Sequence, residues 1–75
     1  MSKIIFSEPE YDQITKLYYS SAKYNIAFNF PGLLIEIRKH FNFQVEVEYK
    51  NTIILLTSAD KKLLNYAIDF VCNTV

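Results

Sequence analysis

Cysteine is almost missing from this sequence. Cys72 stands alone, so no disulfide can form within the chain. Glycine is as scarce: Gly32 is the only one, which excludes a glycine-rich phosphate loop. Tryptophan is absent, and the two prolines are Pro9 and Pro31. Neither sign of charge is in excess, with eight basic and eight acidic side chains. Nucleic-acid binders usually carry a basic footprint, because phosphate contacts supply much of their affinity, and no such run is visible here. No apolar stretch approaches the about 18 residues that a membrane-spanning helix requires. His40 is the only imidazole. One histidine and one cysteine, with no ligand-spaced partner, make neither a zinc motif nor a nucleophile–base pair. These absences point away from an enzyme, a metal or cofactor protein and a membrane span.

What remains is a chain of 75 residues, 51% apolar and 16% aromatic. That length makes one domain. A domain this short buries only about 60% of its unfolded surface, so so much apolar content suggests an oligomer that hides some of it. The lone thiol and the lack of a signal peptide fit a reducing, cytoplasmic setting. Ile, Lys, Asn, Tyr and Phe make up nearly half the chain, a coding bias common in AT-rich genes such as those of many phages.

Along the chain, Lys3 to Phe6 reads as a short N-terminal edge strand. Ser7 and Glu10 have capping-box spacing, and Tyr11, Ile14, Leu17 or Tyr18, and Ala22 recur at helical spacing. This predicts a first helix reaching about Lys23. Residues 24–30 alternate aromatic and polar and are read as an extended segment, ended by Pro31-Gly32. A second helix over about 32–40 buries Leu33, Leu34, Ile37 and Phe41, with His40 near its C-terminal dipole.

Residues 43–57 read as a β-hairpin. Phe43, Val45, Val47 and Tyr49 alternate with Gln44, Glu46 and Glu48, and Ile53 to Leu56 is apolar on both faces. A turn at Lys50-Asn51 would set Val47 opposite Ile54 and Val45 opposite Leu56. The other face then carries Glu46, Glu48, Ile53 and Leu55, apolar and acidic at once. Thr57 or Ser58 would cap a third helix with Asp60 in its first turn, and with Leu63, Leu64, Ala67, Ile68, Phe70 and Val71 as its apolar stripe. Cys72 beside that stripe is expected to be a small core residue.

Binding suits this inventory better than catalysis. The mixed face of Glu46, Glu48, Ile53 and Leu55 is the first candidate surface. Ile35 is an apolar residue on the polar side of its helix, and Tyr19 is flanked at helical spacing by Lys16 and Lys23. Tyrosine is a favoured anchor at protein interfaces.

The segment from Leu33 to Val71 resembles the second half of a type I KH domain, in which a helix leads into a strand, a turn, a second strand and a closing helix. Ile37, Val45, Val47, Ile54 and Ala67-Ile68 stand where such a domain has core positions. The family's nucleic-acid clamp is a GxxG loop between its first two helices, and no GxxG occurs between Ser21 and Gly32. The resemblance implies the order β-α-α-β-β-α and a binding surface on the first two helices, where Lys16, Lys23, Arg38 and Lys39 lie.

The sequence thus leads to a small α+β domain: an antiparallel sheet, made of the hairpin at 43–57 and a possible N-terminal strand, packed on one face by three helices. The expected function is a non-enzymatic protein-interaction module, a phage-type regulator or inhibitor that binds a partner protein's surface, as a homodimer. The alternative is a divergent KH-like domain that binds RNA or single-stranded DNA.

Overall fold

The computed structural model describes residues 4–75. The elements run β1 (Glu10–Asp12), β2 (Leu17–Lys23), α1 (Phe30–His40), β3 (Val45–Lys50), β4 (Ile53–Ser58) and α2 (Lys61–Thr74). The chain is therefore α+β and reads as two ββα units, with two helices among the described residues. All strand pairs are antiparallel, and they form one four-stranded sheet in the order β1-β2-β4-β3.

The expected first helix is a correction. Residues 10–23 form a hairpin, and the element order is β-β-α-β-β-α rather than β-α-α-β-β-α. The capping-box reading of Ser7 fails because Ser7 is spent on the sheet. Its N–H donates to Ser21 O at 2.9 Å, and its carbonyl accepts from the Ser20 hydroxyl at 2.5 Å. Asp12 supplies the turn signal. Its Oδ1 accepts from Ile14 N at 2.8 Å and its carbonyl from Lys16 N at 2.7 Å, an Asx-type turn that reverses the chain. Tyr18, Ser20 and Ala22 then point to one side of β2 and Leu17, Tyr19 and Ser21 to the other. Residues 4–6 of the expected N-terminal strand lie outside any strand, and Lys3 lies outside the described residues. Pro9 separates that segment from β1, since it has no N–H to give a ladder.

The second hairpin forms as read, but its turn is Asn51-Thr52 rather than Lys50-Asn51. Both residues are left-handed, at φ 53° and 63°, the backbone of a two-residue type I′ turn. The pairs become Val45↔Ser58, Val47↔Leu56 and Tyr49↔Ile54. The shift is two residues, so each side chain keeps the face assigned to it. Phe43 falls outside the strand. Asn42 and Phe43 are both left-handed, and Phe43 N donates to Arg38 O at 2.9 Å in a Schellman-type stop to α1. The stop leaves Phe43 70% exposed rather than in the core.

Both helices lie on one face of the sheet. α1 begins at Phe30, where Asn29 caps it by accepting from Gly32 N at 3.1 Å, and buries Leu33 and Ile37. α2 is capped by Asp60, not by Thr57 or Ser58, and buries Leu64, Ala67 and Val71. Ser58 ends β4 instead. It is buried, donating to Gln44 O at 2.8 Å and accepting from Asp60 N at 3.1 Å. Val45, Val47, Ile54, Leu56 and Ala22 complete the core from the sheet. Residues 24–29 lie outside the strands, packed by Tyr24, Phe28, Phe30 and Tyr49, and Tyr49 donates its hydroxyl to Tyr24 O at 2.9 Å.

Candidate functional site

With the helices gathered on one side, no described residue packs over the other face of the sheet as the helices do over the first. The membership of that other face follows from strand alternation and the observed registers. β3 contributes Glu46, Glu48 and Lys50. β4 contributes Ile53, Leu55 and Thr57. β2 contributes Leu17, Tyr19, Ser21 and Lys23, and β1 contributes Glu10 and Asp12. Cross-strand neighbours are Glu48↔Leu55↔Ser21 and Glu46↔Thr57↔Tyr19↔Glu10.

The arrangement is an apolar track with charged borders. Ile53, Leu55, Tyr19 and Leu17 run across the middle strands, with Ile53 44% exposed. At the far end Phe43 joins Leu17 around a shallow depression beside Thr57. A second depression, of about 470 Å³, has a floor of Leu17, Tyr19 and Leu55, with Asp12 and Glu48 on its wall. Carboxylates border the track on both outer strands, as Glu10 and Asp12 on β1 and Glu46 and Glu48 on β3. Lys23 and Lys50 flank Ile53 at one end.

Glu46 is shared with α1. Its Oε1 accepts from Arg38 at 3.1 Å, an ion pair that passes around the edge of β3 and leaves both side chains partly exposed. Exposed pairs of this kind contribute at most about 1 kcal/mol.

Of the six residues expected to bind a partner, five come together here: Glu46, Glu48, Ile53, Leu55 and Tyr19. Ile35, 58% exposed, sits on α1 behind the sheet and does not join them. The cations expected for nucleic acid are dispersed. Lys16 lies in the turn just before β2 and Lys23 ends that strand, about 20 Å away at the usual rise of a strand. Arg38 is held by Glu46, and Lys39 is on α1. The sequence reading missed Leu17, Thr57, Glu10 and Asp12. The alternation Leu17-x-Tyr19-x-Ser21 was present as a signal, but small polar Ser20 on the inner side hid its apolar counterpart.

The two side chains with reactive potential lie elsewhere. The His40 ring stacks on Phe70, with centroids 4.8 Å apart, and joins the end of α1 to α2. Cys72 is exposed rather than in the core, with Sγ 3.5 Å from Ile4 O. Desolvation of its sulfur, with the Asp69 carboxylate adding to it, raises its pKa. Among the described residues no group of His, Cys, Asp and Glu is placed to hold a metal, and no helix is long and apolar enough to cross a membrane. The chain matches no protein-family model, no curated protein and no solved structure.

Proposed function

We propose that this chain is a non-enzymatic protein-interaction module that docks a partner protein on the uncovered face of its sheet. The observation that carries the reading is that face itself, where Leu17, Tyr19, Ile53 and Leu55 form an apolar track between two acidic borders. Sheets with one face toward water usually alternate apolar inside and polar outside. Here the outer side keeps large apolar groups that gain from being covered. Charge complementarity selects the partner: an apolar ridge flanked by lysine or arginine, to meet Glu10, Asp12, Glu46 and Glu48. Occupying such a ridge on another protein is how a regulator or inhibitor of this size would act.

A second copy is the less favoured occupant. Carboxylates outnumber ammonium groups on this face, so stacking two copies brings like charges together. The nucleic-acid reading would need Lys16, Lys23, Arg38 and Lys39 to act over separate parts of the surface.

The test compares the wild-type chain with the double variant Ile53→Asp, Leu55→Asp. The expected result is a captured partner that releases as salt rises and that the variant does not retain, with the circular dichroism spectrum unchanged. Equal capture by both proteins would remove this face from consideration. A wild-type dimer in sedimentation that the variant lacks would assign the face to self-association. Salt-sensitive binding of a labelled single-stranded RNA, lost in Lys23→Glu, would replace the reading with nucleic-acid recognition.

A further inference from the structure

Strand β4 is apolar on both sides. Ile54 and Leu56 are buried under the helices, while Ile53 and Leu55 alternate with them onto the uncovered face. A continuous apolar run is the pattern of a strand covered on both faces. Among the described residues the helices cover only one of them.

The dimensions of the track select what suits the other. Its apolar side chains stand on β2 and β4, and the carboxylates stand one strand further out on each side, on β1 and β3. Three strand spacings put the two borders about 14 Å apart. An α-helix with its side chains is about 10–12 Å across, so it fits between them. An extended strand presents a single row of side chains to the face and reaches one border at most. It cannot join the sheet at β3 either, because Val45 and Val47 are 0% and 3% exposed and close that edge. A second sheet is wider than the track and would bury the carboxylates, which costs free energy unless each is paired.

The charges also give the track a direction. At one end Asp12 lies opposite Leu17, and in the next row Glu10 and Glu46 border Tyr19 and Thr57. At the other end Lys23 and Lys50 flank Ile53. A helix carries positive partial charge at its N-terminus and negative at its C-terminus. Its N-terminus therefore suits the Asp12 end and its C-terminus the two lysines. Leu17 to Lys23 spans about 20 Å, the length of a helix of about 14 residues.

Resting on the docking reading above, we propose that the occupant of this face is a basic amphipathic α-helix of the partner protein, laid along the track in the direction of β2. Its apolar stripe meets Leu17, Tyr19, Leu55 and Ile53. Lysine or arginine on both flanks of the stripe reaches the carboxylates, and an acidic residue in the last turn meets Lys23 or Lys50. Glu46 is already paired with Arg38, so Glu10, Asp12 and Glu48 carry most of the selection. A second copy supplies no such helix. The apolar stripes of α1 and α2 are buried in their own core, and Ile35 is the only well-exposed large apolar residue of α1.

The test is a titration of the isotope-labelled full chain with a synthetic fourteen-residue peptide, held helical by a lactam bridge on its far side. The peptide has a leucine stripe, lysines on both flanks and a glutamate on each flank near its C-terminus. A bridged peptide of the same composition, with the leucines dispersed around the helix, is the control. The expected result is a set of amide shifts at Leu17, Tyr19 and Leu55, with the control at least tenfold weaker. A nitroxide on the peptide N-terminus should broaden Asp12 and Leu17, and one on the C-terminus Lys23 and Ile53. Glu10→Lys with Glu48→Lys should weaken the striped peptide at least tenfold. Equal binding of the two peptides would overturn the proposal, as would no binding at millimolar peptide or binding unchanged in the Ile53→Asp, Leu55→Asp variant. The opposite broadening pattern would overturn the direction. Partner capture that this variant loses, without binding of the striped peptide, would reject the helix and keep the face. Equal capture by the wild type and the variant would reject the face itself.

Discussion

Thr52 is the residue whose backbone is least suited to its side chain. At φ 63° it takes the left-handed conformation that a β-branched residue resists, while Asn51 at φ 53° tolerates it. The strain makes Asn51-Thr52 a turn that local preference does not favour over Lys50-Asn51. Asparagine, not threonine, is favoured at the second turn position; the observed turn places Thr52 there and keeps Ile54 and Leu56 on the core face, as a turn at Lys50-Asn51 would also do. Thr52→Gly should relieve the strain at some cost in unfolded-chain entropy, for a net gain of roughly 0.5–1 kcal/mol. Urea denaturation checks this: the midpoint should rise with the slope unchanged. Glycine at this position should leave the Tyr24 N to Thr52 O bond in place, because that bond uses only backbone.

Between elements, the decisive contest is over residues 10–23. Their apolar residues satisfy both periods, since Tyr11, Ile14, Tyr18 and Ala22 suit a helix and Tyr18 and Ala22, alternating with Leu17 and Tyr19, suit a strand. Local preference could not settle it. The strand wins because β4 otherwise has an unpaired edge along Ile54, Leu56 and Ser58, which β2 fills through six paired residues. The turn that permits this rests on Asp12. Asp12→Ala removes the acceptor for Ile14 N and should cost about 1 kcal/mol, since it removes one of the local bonds that reverse the chain. Amide exchange should accelerate first in β1 and leave β3 protected. The second half was easier to read. From Asn29 to Val71 each helix has one dominant apolar stripe; that of α1 packs on β3, and that of α2 packs on β4 and its neighbours β2 and β3.

Over the whole molecule, apolar content is divided unequally between two sides. Leu64, Ile37, Ile54 and Leu56 are fully buried, while Ile53 and Phe43 stay exposed, as does Ile14, 92% exposed in the first turn. A chain of 75 residues has a total stability of roughly 4–11 kcal/mol. Leu64→Ala leaves a cavity in the only core among the described residues and should cost about 2–5 kcal/mol, a large share of that total. Thermal denaturation should show a much lower midpoint for this variant. Ile53→Asp alters an exposed position on the uncovered face and should move the midpoint little. If the two variants melted alike, the uncovered face would be part of the stabilising core.

The sequence by itself determined the α+β class, a helix at about 32–40 and a closing helix, though not where either begins, and the β3–β4 hairpin with the faces of its paired side chains. Each of these depends on a local period, and a period survives a register error of two residues. It also brought Glu46, Glu48, Ile53 and Leu55 to one surface, because neighbours across a hairpin are close in the chain. Tertiary structure alone decided that residues 10–23 are strands. It also decided that Tyr19 and Leu17 extend the same face from β2, that Ile35 lies behind it, and that β3 rather than β4 is an outer strand. Those outcomes rest on pairing between segments more than thirty residues apart, such as Ser21 with Leu55. The free energy of such a pairing belongs to both strands together and is written in neither one alone.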